Sequence, residues 1–363
     1  MTPQLPRFPH LSRRRALGVA VGATLAGALI GSLGAPIASS LAAEPVDLSG
    51  VTLRVGIFED VTRDAIEATD VLKGTPYKIQ WARLNGAGPT VQALGGNAID
   101  ISWGLSDTAP AKASAEDRQN WTAQNAPIKV VALLKPLDED KFSNSLIAAH
   151  KDAGVKTLAD LKGKTYAFNE GGNINALALL GLAHAGLTLK DVQPRLLTYD
   201  ATSTALIAGA VNAAPVTRAR VADALADGTL IELARDIDVG FPGYVSVTAR
   251  TGALDDPKLS AAIGDFLNRL AQYLRWSSTH PEETAKSYVK TQQLSERNAL
   301  SAAKAKAVTL IPVNPGSAGF EKEIAATEKL VKAGFYPRAV DFATVVDGRY
   351  ADQITAGDKP KTN

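Results

Sequence analysis

YKIQWARLNGAGPTVQALGGNAIDISW, residues 77–103, carries the pattern that decides the fold class. Tyr77–Leu84 alternates apolar and polar side chains, the two-residue period of a half-buried strand. Asn85-Gly86-Ala87-Gly88-Pro89-Thr90 then opens a helix. Glycine permits a tight start, and proline suits a first turn whose N–H groups have no helical partner. Ala98–Trp103 (AIDISW) reads as a short buried strand spilling into Gly104-Leu105-Ser106-Asp107-Thr108-Ala109-Pro110. Upstream, Val51–Phe58 is β-rich and ends in a polar loop, Glu59-Asp60-Val61-Thr62-Arg63; downstream, Ile128–Leu134 is another strand. This alternation predicts an α/β unit on a substantially parallel sheet.

A second unit follows. Ser145–Ala149 is a strand able to cross between two lobes, and Thr157–Lys164 leads to strand Tyr166–Phe168. Asn169-Glu170-Gly171-Gly172-Asn173-Ile174-Asn175 then introduces a helix over Ala176–Ala185. Arg195–Leu197 and Asn212–Val216 are strand-like around a helix at Ser203–Gly209, and Tyr244–Ala249 alternates again as a return crossing. Pro257–Ser277 and Pro281–Lys290 have helical periodicity. A length of 363 residues already suggests two lobes. The expected architecture is therefore an α/β clam-shell with a helical C-terminal region: residues 44–148 plus 246–363 as the first lobe, 149–245 as the second. Ligands of such folds sit at strand C-termini and helix N-termini facing the cleft.

Residues 1–43 read as an address rather than a fold. They contain Arg7, Arg13, Arg14 and Arg15 and no acidic residue, then the Ala/Gly-rich apolar run Ala16–Leu33 and the small-residue stretch Ala38–Ala43. That is the order of a secretory signal, and Ser12-Arg13-Arg14-Arg15-Ala16-Leu17 is similar to a twin-arginine export motif. A retained membrane anchor is the alternative, since about 18 apolar residues can just span a bilayer. Of the 39 basic residues four fall here, leaving 35 against 37 acidic ones, a balance that excludes a protein built around nucleic acid. The absence of cysteine removes disulfides, thiolate metal sites and cysteine nucleophiles together. Four scattered histidines, His10, His150, His184 and His280, supply no metal cluster, and no cofactor or metal is expected.

Three blocks carry a family resemblance: Asn85–Ala113 (NGAGPTVQALGGNAIDISWGLSDTAPAKA), Lys156–Pro194 (KTLADLKGKTYAFNEGGNINALALLGLAHAGLTLKDVQP) and Asp255–Leu294. In this order, after an export-like segment, they resemble the substrate-binding proteins for aliphatic sulfonates, taurine and nitrate. The resemblance implies a two-lobed type II periplasmic-binding-protein fold that delivers a small ligand to an ABC permease and, through it, to an ATPase. A monomer acting outside the cytoplasm is implied with it. The chain departs from the family pattern at Thr217-Arg218-Ala219-Arg220, where an aromatic and a carboxylate are usual.

Oxyanions are held by unpaired N–H groups at helix N-termini, helped by the helix dipole. Gly88 and Thr90 in the first lobe, and Gly171, Gly172 and Asn173 in the second, mark two such starts; tight βα turns are the plain alternative. Ser106 and Thr108 are candidate donors and Asp107 a candidate acceptor, unless Asp107 or Thr108 simply caps the following helix. Arg218 and Arg220 match an oxyanion as planar forks. On a strand they would share a face, on a helix they would diverge; the alternative is a solvated pair, and Arg63 has the same standing. Phe58, Trp103, Phe241 and Tyr244 are candidate apolar walls or core. The pattern predicts a receptor for a small anionic or zwitterionic ligand, not an enzyme. The alternatives are an enzyme on the same scaffold, with sulfinate- or pyrimidine-related chemistry, and a receptor presenting its ligand to a membrane sensor.

Overall fold

Alternation builds the first sheet. In β1 (Thr52–Ile57) the side chains of Leu53, Val55 and Ile57 are fully buried, and β1 runs parallel to β2 (Lys78–Arg83) and β3 (Ile101–Ser106). The computed structural model describes residues 46–138, 143–241, 243–292 and 294–359. The export segment expected at residues 1–43 lies outside them. Between these strands run α1 (Asp60–Glu67) and α2 (Ala87–Gly95). The stretch from Glu59 to Arg63, read as a polar loop, is the start of α1. Strand β3 begins three residues later than its apolar run suggests and ends at Ser106, so Asp107 becomes the N-cap of α3 (Thr108–Glu116), its carboxylate accepting from the Thr108 N–H. β4 (Ile128–Pro136) completes the first half.

The chain then enters a second sheet. β5 (Ser145–His150) is buried along nearly its whole length and antiparallel to its neighbours, while β6 (Thr165–Phe168) and β7 (Gln193–Leu196) are parallel. α4 (Gly172–His184) and α5 (Tyr199–Ile207) alternate with them, then β8 (Ala213–Thr217), α6 (Arg218–Ala226) and β9 (Leu230–Arg235). β7 is exposed at the sheet edge and carries Pro194, which an edge tolerates because no neighbour needs its missing N–H. β10 (Val245–Arg250) brings the chain back to the first sheet, antiparallel between β3 and β4.

The strand orders are β2-β1-β3-β10-β4-β11 and β7-β6-β8-β5-β9. Both sheets follow one plan: second, first, third, the strand that has just crossed over, fourth. Each is parallel on one side and antiparallel around its crossing strand, so the expectation of a substantially parallel sheet holds for the βαβ parts. At the base of the first sheet the fully buried Asp100 carboxylate receives Arg54 Nη2 and Arg250 Nη2, each at 2.7 Å. Burial alone would push the Asp100 carboxyl up, but hydrogen bonds from Arg54 and Arg250 hold it below the usual range.

The C-terminal third supplies α7 (Thr251–Asp255), α8 (Pro257–Thr279), α9 (Pro281–Gln292) and α10 (Glu296–Ala305). They are followed by the edge strand β11 (Val308–Ile311), α11 (Ala318–Lys332) and α12 (Ala351–Gly357). Asp256 caps α8 through the Lys258 and Leu259 N–H groups with Pro257 in its first turn, and Ile263, Phe266, Leu267, Leu270 and Leu274 bury one face. Each such side chain contributes about 1.5–3 kcal/mol of burial. On α11 and beyond, Phe320, Leu330, Phe335 and Tyr336 share a core with Ile147 and Tyr166 of the second sheet and Leu177 of α4. The C-terminal third thus packs on both sheets. Among the described residues no helix is long and apolar enough to cross a membrane.

Candidate ligand-binding cleft

A cleft of about 830 Å³ opens where strand ends, α6 and the C-terminal helices converge. Phe58 and Glu59 follow β1, Trp103 and Gly104 lie on β3, Tyr199 follows β7, and Thr217 ends β8. Tyr273 of α8, Tyr288 of α9 and Lys306 just beyond α10 close it from the C-terminal third.

Its electrostatic centre is Glu59. Arg220 Nη2 reaches Glu59 Oε1 at 2.9 Å, and Lys306 Nζ reaches Oε2 at 3.2 Å. The Lys306 ammonium, followed by Arg220, holds the Glu59 carboxyl down to about 2 against the opposing effect of burial. Burial would lower Lys306, yet Glu59 outweighs it and holds the ammonium above its ordinary range. Arg220 also sends Nη1 to Asp200 at 2.8 Å and lies 4.4 Å over the Tyr199 ring, whose hydroxyl is hydrogen-bonded to Thr217. Its Nε is buried without a hydrogen-bond partner. Asp236, also on the wall, is pushed up to about 6 by burial, despite Ser143 and the N–H groups of Ile237 and Ser145.

The glycine-bordered helix starts lie elsewhere. Gly172, with φ +69°, packs so tightly that a Cβ there would stand 2.6 Å from Ser106 Oγ and 3.4 Å from Ala87 Cβ. The Asn173 N–H donates to Ser106 Oγ at 3.1 Å, its side-chain amide donates to Tyr244 O at 2.6 Å, and its side-chain oxygen accepts from Thr108 Oγ1 at 2.7 Å. The start of α4 thus meets the end of β3 and the start of α3, where Asn173 finds its partners in Ser106, Thr108 and Tyr244. Gly171 is the N-cap of α4, and its N–H donates to Asn175 Oδ1. Thr90 is buried with its hydroxyl on Gly86 O, and Gly88 is exposed on α2. The structure places Ser106, Asp107, Thr108, Gly172 and Asn173 where the start of α4 meets the end of β3 and the start of α3, and Gly88 and Thr90 on α2, rather than on the cleft lining. Short polar side chains facing one another find partners directly. In the same contact, burial pushes Asp107 up to about 6 against the lowering effect of its hydrogen bond with Glu323 of α11, while burial and Asp107 together push Glu323 well above its ordinary range. One oxygen of each is buried without a hydrogen-bond partner, which favours the protonated form of the carboxyl.

The remaining candidates separate cleanly. Arg218 and Arg220 stand at the start of α6 and diverge: Arg218 turns to Glu232 at 2.7 Å and to Ser143 O, Arg220 to the cleft. Arg63 is half-exposed on α1 among Asp60, Asp64 and Glu67, away from the cleft. Phe58, Trp103 and Phe241 line the cleft, whereas Tyr244 is buried beside it with Lys322 Nζ 5.9 Å over its ring. Glu59, Tyr199 and Lys306 escaped the sequence reading. Glu59 was one residue from a named wall residue. Lys306 left no sequence signal, since 247 positions separate it from its partner.

Two sheets of one strand plan, joined by crossings and flanking a cleft at strand ends, define the periplasmic-binding-protein fold. The sequence profile of the NMT1/THI5-like family matches residues 112–284. A putative aliphatic sulfonates-binding protein of Escherichia coli (strain K12) is 28% identical over 173 residues, which is 48% of this chain and 50% of that protein. The chain thus matches about half the length of this curated relative. Among solved structures, the alkanesulfonate-binding protein SsuA from Xanthomonas axonopodis pv. citri, bound to MOPS, aligns with a TM-score of 0.69 at 20% identity, over 82% of this chain and 99% of that one. The periplasmic aliphatic sulphonate binding protein SsuA from Escherichia coli aligns at 0.65 and 22%, over 82% and 92%. The chain is similar to these binding proteins in sequence over about half its length and shares their fold, which bears out the family resemblance read from its sequence.

Proposed function

We propose that this chain is an extracytoplasmic solute-binding protein that holds a small organic anion in the cleft and passes it to the permease of an ABC importer. The observation that carries the reading is the Arg220–Lys306 pair set among the aromatic walls of Phe58, Trp103, Tyr199 and Phe241. A guanidinium and an ammonium select an oxyanion, and the rings select an apolar body. An alkane- or arylsulfonate has both parts. Pockets for drug-sized ligands measure roughly 300–1,000 Å³, so a cleft of about 830 Å³ has room for more than nitrate or taurine. The names of the relatives support the same ligand class, and the arginine-rich start of the chain supports export. Among the described residues the cleft lining includes no histidine, and the chain has no cysteine, which favours carrying the ligand over transforming it.

The test is to purify the protein natively, denature it, and identify released small molecules by mass spectrometry. A thermal-shift panel of alkanesulfonates, arylsulfonates, taurine and nitrate runs beside it. At a hundredfold excess over Kd a ligand stabilises the fold by about 2.7 kcal/mol, a visible rise in Tm. No released anion and no shift across the panel would refute the ligand class. Turnover of an aryl sulfinate by the pure protein would refute the carrier role.

A further inference from the structure

The cation pair in the cleft is already occupied. Glu59 gives one carboxylate oxygen to Arg220 and the other to Lys306. We propose that Glu59 is an internal stand-in for the ligand's anionic head: its carboxylate holds the Arg220–Lys306 pair until an incoming oxyanion displaces it. Glu59 thereby sets the affinity of the cleft. This rests on the reading of the cleft as an anion site.

Three features of the geometry support displacement. First, the fit of Glu59 is incomplete. Arg220 Nη2 bonds to Oε1, but Nε, on the same edge of the guanidinium, is buried without a partner. Oxyanions engage that edge with two parallel bonds. A sulfonate has three oxygens and can take Nε, Nη2 and the Lys306 ammonium together, whereas the two oxygens of Glu59 are spent one per cation. Second, the pair spans the molecule. Glu59 follows β1 of the first sheet, Arg220 stands on α6 beside the second, and Lys306 comes from the C-terminal third. An anion that replaces Glu59 inherits contacts to both halves. Third, the displaced carboxylate has somewhere to go. Glu59 is the N-cap residue of α1, with extended backbone (φ −137°, ψ 134°), and its side chain makes no capping bond. The start of a helix favours a negative charge, so a side-chain rotation exchanges one favourable site for another.

Occupancy by Glu59 reduces apparent affinity by the fraction of time the cation pair is free. If that fraction is about one tenth, removing the carboxylate tightens anion binding roughly tenfold.

The experiment measures binding of sulfate, methanesulfonate, octanesulfonate and taurine by calorimetry at fixed ionic strength. It compares the wild-type chain with Glu59→Gln, Glu59→Asp and Glu59→Gln combined with Arg220→Gln. Glu59→Gln is expected to bind the first three roughly tenfold more tightly. Glu59→Asp, too short to reach both cations, is expected to fall between, and the added Arg220→Gln to abolish the gain. If Glu59→Gln binds no tighter than wild type while wild type binds, the proposal fails and the anion-carrier reading stands. If only Glu59→Gln binds, the proposal stands and the assigned ligand class fails. Silence in both chains, with folding verified by circular dichroism, overturns both. Selective loss of taurine in Glu59→Gln overturns the proposal by making Glu59 a partner for an ammonium.

Discussion

Gly172 and Ser106 meet where the start of α4 touches the end of β3: the glycine presents no Cβ, and the serine hydroxyl fills the space that one would take, 2.6 Å from its ideal position. The next amide, Asn173 N–H, donates to that hydroxyl. The contact depends on the absence of a side chain and on a left-handed φ of +69°.

Gly172→Ala should therefore cost more than a helix substitution elsewhere. Left-handed strain at a non-glycine residue is worth about 1–3 kcal/mol, and the clash with Ser106 adds to it. Urea unfolding of Gly172→Ala should show the loss. The double variant with Ser106→Ala should recover part of it, since a smaller neighbour relieves the clash but not the strain.

The raised carboxyls of Asp107 and Glu323 predict a pH dependence of stability. Both carboxyls are raised in the folded state, Asp107 to about 6 and Glu323 well above its ordinary range, so the native chain keeps protons that the unfolded chain has lost. Their contribution is complete below about pH 4 and is lost as pH rises through about 6 and beyond. Asp236 works in the same direction. Asp107→Asn should flatten the decline between pH 4 and 8 by an amount on the order of 2 kcal/mol. Unfolding free energies across that range, wild type against variant, measure it; an unchanged slope would contradict the raised Asp107 carboxyl.

Arg220 and Arg63 make a paired test of the cleft. Arg220→Gln removes the fork in the cleft and should weaken binding of an alkanesulfonate at least tenfold, as loss of a charge-assisted bond worth about 1.5–3 kcal/mol requires. Arg63 sits among three carboxylates on half-exposed α1. Arg63→Ala should leave affinity unchanged and shift stability by no more than about 1 kcal/mol.

Asp100 is 1% exposed between two arginines. Asp100→Ala strands both guanidiniums against the base of the first sheet, and a loss of roughly 3 kcal/mol is expected by chemical denaturation. Asp100→Asn keeps the volume and should lose less.

Local pattern reached the βαβ elements because alternation and glycine-rich starts are local signals. Val51–Phe58, Ser145–Ala149 and Tyr244–Ala249 lie within a residue or two of β1, β5 and β10. α1 was hidden because its polar face, Asp60, Arg63, Asp64 and Glu67, reads as loop. β9 and β11 lie in mixed stretches whose burial depends on partners far along the chain. In the cleft, Phe58 and Arg220 were legible from residue type and position. Whether Arg218 or Arg220 faced the cleft depended on where β8 ends, at Thr217, and on the turn of helix that follows. Glycine and short hydroxyls mark close approach, but they do not say whether a ligand or another helix does the approaching. Here it is another helix.

The interleaved strand order has a kinetic consequence. β10 separates β3 from β4 in the first sheet, yet it is synthesised only after every strand of the second. The second sheet is one continuous stretch and can zip up alone, while the earlier-made sheet waits with an open seam until β10 arrives. Non-local pairing of this kind is intrinsically slow. The half that is translated first should be the half that sets last, and pulse-labelling hydrogen exchange during refolding would show its amides protected later.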